Sequence, residues 1–367
     1  MQKTATVYDV AAHAGVSIAT VSRVFRRPED VRASTREHVL ASVRALGYVP
    51  SASARGLAAR HTGVLGLYFP DFDDVDAVGD ADFSYSPTVD VEVDIPDSGD
   101  ARRPNLYFDE VLRGSELQAW RDGFALMVAV GRGANPIDMI SDIAGRVDGL
   151  ALLAGSVSDE VLEHVSRRIP IVLIAGERRD DDYDHVTVAN AEGMHALTRH
   201  VIDDLGVREP VYVSGPQDTF DERDRHAGFR LALTESGIDA DALPVFQGDF
   251  SRARGRQIAA EMLLAGDPAR ALLCANDQTA LGIIQELSAR GVRVPEDTIV
   301  TGFDGIDEGR VSTPRLTTVQ QPMITLGRAA MWAMRSRLYD SSQPPIALRL
   351  PVKLLLRESS EGTAAGS

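Results

Sequence analysis

TVYDVAAHAGVSIATVSRVF, residues 6–25, reads as two short helices around a tight turn. The first is expected over Tyr8–Ala14. Gly15-Val16 supplies the turn, since glycine takes a left-handed conformation without steric cost. Ser17 has the short oxygen-bearing side chain that caps a helix N-terminus, ahead of a second helix over Ile18–Phe25. A third helix follows. Ser34-Thr35-Arg36-Glu37 has the form of a capping box. Val39, Leu40, Val43 and Leu46 recur on one face at helical spacing, and Gly47 closes the helix before Pro50 breaks the chain. Val10, Val21 and Val24 face a small core.

This is the pattern of a helix-turn-helix, in which the second helix enters the DNA major groove and its N-terminal side chains meet base edges. The candidate major-groove contacts are Ile18, Ala19, Thr20, Ser22 and Arg23, together with Thr6 and Ser17. Arg23 can donate two hydrogen bonds to guanine O6 and N7, worth about 1–3 kcal/mol of discrimination. Ile18 and Ala19 offer apolar contact to a thymine methyl.

Charge supports a head that touches phosphates. The whole chain carries −16. Residues 1–60 hold nine Lys or Arg against four Asp or Glu, a net of +5, which leaves −21 for the rest. A basic end on an acidic body suits a protein that meets DNA with that end alone.

The length of 367 residues calls for two or three domains. A hydrophobic share of 44% and a charged share of 25% are those of an ordinary globular chain. No run is long enough for a membrane span, and Met1–Val10 lacks the apolar core of a signal peptide. Cys274 is the one cysteine, which excludes an internal disulfide framework. A cytoplasmic protein with no membrane partner is expected.

From Gly63 the pattern changes to short apolar runs alternating with helical stretches. Strands are expected at Val64–Phe69, Phe124–Val130, Gly149–Leu153, Ile171–Ile174, Val186–Val188, Val211–Val213, Ala271–Cys274 and Thr298–Gly302. Helices lie between most of them, as at Val111–Asp122, Ala191–Leu205, Arg225–Ser236, Arg254–Ala265 and Thr279–Arg290. This βαβ alternation implies parallel sheets covered by helices. Eight strands in about 250 residues suit two lobes better than one. One stretch stands apart: residues 71–104 carry eleven Asp or Glu against Arg102 and Arg103, the composition of a solvated acidic insertion.

TVYDVAAHAGVSIATVSRVF and ASTREHVLASVRALGYVPSASARGLA resemble the DNA-binding head of the LacI/GalR transcription regulators. FDEVLRGSELQAWRDG, RHAGFRLAL, GDFS, CANDQTALG, GVRVPEDTIVTGFDG and PRLTTVQQP are similar to landmarks of that family's body, in the same order. The resemblance implies a small all-α helix-turn-helix DNA-binding domain followed by a two-lobed α/β doubly wound effector domain of periplasmic-binding-protein type. It divides the chain into a head (1–50), a hinge helix (51–62), a body (63–358) and a disordered tail (359–367). Within the body it implies an N-lobe of about 63–190 plus 321–340 and a C-lobe of about 191–320 plus 341–358. It makes Leu57 a minor-groove wedge with Ser53, Ala54 and Arg55 beside it. An apolar wedge of this kind unstacks a flexible base step. It assigns effector contacts to Tyr107, Phe108, Arg225, Phe250, Asp277 and Asp304. Arg225, Asp277 and Asp304 lie beyond strand ends, where ligands of doubly wound sheets bind.

The implied partners are double-stranded DNA carrying a pseudo-palindromic operator, a small effector of sugar type, and a second copy of the chain. The segment after Arg357, ESSEGTAAGS, has no apolar heptads, so a homodimer is expected rather than a tetramer. Three departures from the family pattern bear on the effector: Ala189-Asn190, Gly302-Phe303-Asp304-Gly305 and Gly206-Val207.

No catalytic site, metal site or cofactor is expected. Walker, GxGxxG and HExxH motifs are missing, no Cys/His cluster exists, and no GxSxG elbow occurs. A regulator answering to a protein partner, or to no effector, would keep the same head. A solute-binding protein would need a signal peptide, and an enzyme a convergent acid–base pair.

Overall fold

The computed structural model describes residues 5–49, 61–70, 91, 106–131, 136–176, 181–266 and 269–361. Two compact units divide at Gly63. Ser53, Ala54, Arg55 and Leu57 lie outside the described residues, as does the acidic insertion apart from Val91.

The head holds α1 (Val7–His13), α2 (Ile18–Arg26) and α3 (Ala33–Leu46). Thr6 caps α1 reciprocally. Its hydroxyl accepts from the Asp9 N–H, while the Asp9 carboxylate accepts from the Thr6 N–H at 2.8 Å. Ser17 caps α2 through Oγ, which accepts from the Thr20 N–H at 3.2 Å. Gly15 and Gly47 take φ of 60° and 59°, where a Cβ would be strained. The capping box expected at Ser34–Glu37 does not form. An extended Val31-Arg32 feeds the chain into helix at Ala33, so Ser34 already lies within the first turn, and Arg32 has no side-chain acceptor to cap with. Val10, Val21 and Val39 are fully buried, with Leu40, Val43 and Leu46 packed beside them.

The second unit contains two six-stranded sheets. One has the order β11-β5-β4-β3-β1-β2 and is parallel throughout. Its strands are β1 (Val64–Phe69), β2 (Ala125–Val130), β3 (Gly149–Leu153), β4 (Ile171–Ile174), β5 (Asp184–Val188) and β11 (Ala347–Leu350). The other has the order β12-β10-β9-β8-β6-β7, with β12 alone antiparallel. Its strands are β6 (Val211–Ser214), β7 (Val245–Gln247), β8 (Ala271–Cys274), β9 (Ile299–Asp304), β10 (Thr317–Gln320) and β12 (Lys353–Leu355). The helices around the first sheet include α4 (Leu106–Arg121), α5 (Pro136–Ala144), α6 (Asp159–Ser166) and α12 (Met323–Tyr339). Around the second run α7 (Asn190–Arg199), α8 (Phe220–Glu235), α9 (Arg252–Ala265), α10 (Asp277–Ala289), α11 (Asp307–Val311) and α13 (Glu358–Glu361).

The lobe division expected at residue 341 falls later. β11 pairs in parallel with β5, Ala347 opposite His185, and Asp184 accepts from the Ile346 N–H at 2.7 Å. Residues 347–350 therefore belong to the N-lobe sheet. The tail expected to be disordered from 359 begins as structure. Ser359 is fully buried and its hydroxyl donates to the Val300 carbonyl at 2.6 Å. Arg225 also sits deeper in its helix than expected, since α8 starts at Phe220.

Glycines set how closely the helices pair. A Cβ on Gly282 of α10 would lie 2.1 Å from the Arg252 carbonyl oxygen, and one on Gly255 of α9 would lie 2.3 Å from that of Thr279. Gly114 of α4 and Gly327 of α12 meet each other's helices in the same way. Backbone cannot yield locally, so a methyl must spread the helices. Gly282→Ala is expected to cost about 1–3 kcal/mol, seen as a lowered unfolding midpoint. A wild-type midpoint would show that the α9–α10 pair has slack.

Candidate functional site

The two sheets present their carboxyl ends to each other, and a charged cluster stands between them. Arg225, 3% exposed, is its centre. Its Nε donates to Asn190 Oδ1 at 2.9 Å and its Nη1 to the Ala275 carbonyl, just past β8, at 2.6 Å. Asp304, at the end of β9, is 3.5 Å from Nη1. Asp221, one turn before Arg225 on α8, is 4.0 Å from Nη2 and accepts from Asn190 Nδ2 at 2.8 Å. The guanidinium also stacks 4.0 Å over the Phe303 ring.

Tyr107 reaches this cluster from the other lobe. Burial first, then the charges of Asp221 and Asp304, hold its phenol well above its usual range, while Arg225 opposes them. The hydroxyl is therefore a neutral O–H, and it has no hydrogen-bond partner among the described residues. A buried hydroxyl left so costs about 1–3 kcal/mol, which makes it the group that most needs an added partner. Phe108 does something else. Its ring turns back onto Phe69, at the end of β1, with centroids 4.8 Å apart. Phe250 sits on the bare backbone of Gly215, where any Cβ would strike its ring, and its ring centroid is 5.9 Å from the Arg225 guanidinium carbon. Phe250 and Asp304 both hold positive φ, 66° and 116°. Strained backbone at non-glycine residues is concentrated at functional sites.

Asp277 differs from the expectation. It is fully buried, and both of its oxygens serve the protein. Oδ2 accepts from the Gly305 and Ile306 N–H groups at 2.8 and 2.9 Å, and Oδ1 from the Thr318 hydroxyl at 2.6 Å. Burial and then the Asp304 charge push its carboxyl upward, but these donors suit a carboxylate acceptor. It anchors the loop after β9, so Asp304 is aimed by a residue standing behind it. The cap of α10 is Asn276, whose Oδ1 accepts from the Thr279 N–H. Asp304 itself is pushed upward by burial and held down by Arg225 and the Gln321 amide.

Three further residues join the cluster, Asn190, Asp221 and Gln321, of which only Gln321 lies within a family landmark, PRLTTVQQP. Asn190 stood in sequence only as half of a departure. Gln321 is 3% exposed and donates to Asp304 Oδ1 at 2.7 Å.

In the head, Ser17, Ile18, Ala19 and Arg23 are exposed on the N-terminal side of α2, while Thr20 and Ser22 are half-buried. Ile18 is 41% exposed, whereas Val10, Val21, Val24 and Val39 of the same head are buried. Among the described residues no helix is long and apolar enough to cross a membrane, and no group of three or more His, Cys, Asp or Glu could hold a metal ion.

Comparison with known proteins places this arrangement. Residues 6–51 match the model for bacterial regulatory proteins of the lacI family, and residues 199–360 match a periplasmic binding protein-like domain. The chain is 31% identical to the HTH-type transcriptional repressor PurR of Erwinia tasmaniensis, over 97% of this chain and 96% of that protein. The chain belongs to the lacI family of bacterial regulatory proteins. Among solved structures of LacI-family type, the Lac repressor dimer bound to operator and the anti-inducer ONPF is similar with TM-score 0.78. It shows 25% identity, with 98% of this chain and 99% of that one covered. The complex of the transcriptional regulator CelR with cellobiose is similar with TM-score 0.67, 27% identity, and coverage of 97% and 99%.

One buried acid behind the cluster gives the C-lobe a pH signature. Glu222 is 3% exposed and accepts from the Gly215 N–H and the Tyr212 hydroxyl. Burial raises its carboxyl to about 7, against the pull of Gly215 and Arg225. A raised folded value means that the folded state holds this proton more tightly than the unfolded one. The group's contribution is full below the unfolded value near 4.5 and is lost as pH rises to about 7. Glu222→Gln is expected to flatten stability across that window and to add roughly 3 kcal/mol above it. Unfolding curves at stepped pH check this, and an unchanged slope would refute it.

Proposed function

We propose that this LacI-family chain is a sequence-specific repressor that reads a pseudo-palindromic operator as a homodimer, with operator affinity set by an uncharged sugar between its lobes. The observation that carries the effector half is the Tyr107 hydroxyl. It is buried and unpartnered among the described residues, and the charges of Asp221, Asp304 and Arg225 act on it from the opposite lobe. A hydroxyl-bearing ligand can give that group a partner and donate to Asp304 by a charge-assisted hydrogen bond. Phe250 offers an apolar face for a sugar ring.

Charge narrows the ligand class. Arg225 already faces two carboxylates, so a phosphate would have to displace Asp304 or Asp221 to reach it. A neutral sugar meets no such competition. The complex of CelR, a similar protein, holds cellobiose. The effector acts by binding two lobe arrangements with different affinity, the one route by which it can shift operator binding.

For DNA, the reading assigns Ser17, Ile18, Ala19, Thr20, Ser22 and Arg23 to the major groove. Thr6 joins them in the major groove, and Leu57 with Ser53, Ala54 and Arg55 acts in the minor groove. The exposed Ile18 is the residue that supports this assignment best. A role confined to DNA binding and repression leaves no chemistry for the chain to perform, so no turnover is expected.

Selection of bound duplexes from a random pool should return a palindrome, and failure to enrich one would refute the reading. Against the selected site, Arg23→Ala is expected to lose about 1–3 kcal/mol and to relax preference at one guanine per half-site. Uniform weakening across all sequences would make Arg23 a phosphate contact instead. A panel of neutral and phosphorylated sugars then tests the cleft. A neutral sugar should change operator affinity, and Asp304→Asn should weaken its binding roughly 10- to 100-fold, the value of a hydrogen bond to a charged group. Response to phosphorylated sugars alone would overturn the ligand class.

A further inference from the structure

The chain passes between the lobes three times: between β5 and α7, between β10 and α12, and between β11 and β12. Each of the first two passages carries a buried amide side chain. Asn190, 2% exposed, is the first residue of α7. Gln321, 3% exposed, directly follows β10. Neither is attached to a neighbour of its own passage. Asn190 accepts from Arg225 Nε at 2.9 Å and donates to Asp221 at 2.8 Å. Gln321 donates to the Asp304 carboxylate at 2.7 Å, and its backbone N–H donates to the Asp304 carbonyl at 2.9 Å. The Gln321 Oε1 has no donor among the described residues, so Asp304 alone orients that side chain. Arg225 and Asp304, 3.5 Å apart, close the line. The result is one continuous path, Asn190–Arg225–Asp304–Gln321, from one crossover to the other through the two charged groups of the cleft.

Resting on the reading of this cleft as the effector site, we propose that Asn190 and Gln321 are positioning residues. They tie the Arg225–Asp304 pair to the two crossovers and thereby set the angle at which the lobes close. A ligand that draws Asp304 or Arg225 toward itself must stretch or turn an amide whose backbone is the hinge. Asp304 cannot absorb the pull locally. Its φ of 116° is sparsely populated, and Asp277 holds the loop after it through Gly305 and Ile306. Displacement therefore passes to the crossover. Burial of both amides enforces the link, because an amide pulled free inside the protein has no water to replace its partner.

The test reads lobe geometry without DNA or ligand. Cysteines at exposed Glu163 of the N-lobe and Asp241 of the C-lobe take nitroxide labels, while Cys274 is fully buried. Full-length dimers diluted with unlabelled chain give the distance between labels within one subunit by double electron–electron resonance. Asn190→Leu and Gln321→Leu are each expected to shift or broaden the wild-type distribution. The double variant should shift it no further than the larger single change, because both cut the same path. Ser359→Ala, which removes a buried hydrogen bond inside one lobe, controls for simple destabilisation and should leave the distribution alone. Where a leucine variant does not fold, Gln321→Glu removes the amide donor to Asp304 with the shape retained, Asn190→Ala removes the acceptor for Arg225 Nε, and the two should give the same pattern. An unchanged distribution in folded variants, or shifts that add, overturns the coupling. Failure to select an operator would end the regulator reading while leaving this distance unaffected, so the two failures are told apart.

Discussion

A guanidinium buried to 3% exposure has to be matched where it stands, and the matching of Arg225 organises the body of this protein. An isolated charge in the interior costs far more than a folded domain has to spare. Arg225 answers with hydrogen bonds to Asn190 and to the Ala275 carbonyl, and with two carboxylates, Asp304 and Asp221. Those partners come from α7, the end of β8, the end of β9 and α8 itself. One side chain thus fixes the relative placement of four elements at the carboxyl edge of the C-lobe sheet. Breaking such a set by removing one member leaves the others buried and unpaired, which is why the arrangement tolerates little change.

Behind that edge lies a second tier of acids whose work is to hold the first in place. Asp277 fastens the loop that carries Asp304, and its carboxylate lies against Gly302, where a Cβ would come within 2.1 Å of Oδ1. Glu222 fastens the Gly215 turn, on whose bare backbone Phe250 rests. The cleft is therefore built with little freedom on the C-lobe side. The N-lobe contributes Tyr107 on α4, whose hydroxyl is unmatched within the described residues. A rigid polar wall opposite a group in need of a partner is a sound basis for a ligand that bridges the lobes.

The head follows a different physics. Its core is a handful of valines and leucines, so its helices owe much to their ends: the Thr6–Asp9 box, the Ser17 cap and the left-handed Gly47. Caps of this kind are worth about 1 kcal/mol each, a large fraction of what so small a unit can hold. They also fix where α2 begins, and with it the exposure of Ile18, Ala19 and Arg23.

The sequence by itself determined the local grammar. Short apolar runs marked most strands and period-3.6 patterns most helices, and Ser17 and Gly47 took the caps their chemistry suits. It did not determine the box at Ser34, because a capping residue is decided by where the preceding chain enters the helix. The missed strands follow a common cause. β7, β11 and β12 are three- or four-residue edges, too short to show a period, and β10 is hidden behind Thr317 and Thr318, polar residues buried by satisfying their hydroxyls. The family motifs brought Arg225, Phe250, Asp304 and Tyr107 to one place. Only the tertiary structure decided that Asp277 turns inward, that Phe108 packs on Phe69, and that Asn190 and Gln321 join the cluster. The reason is that an amide or carboxylate looks the same in sequence whether its partners are water, a ligand or backbone 28 residues away. Its role is settled by which donors folding sets around it.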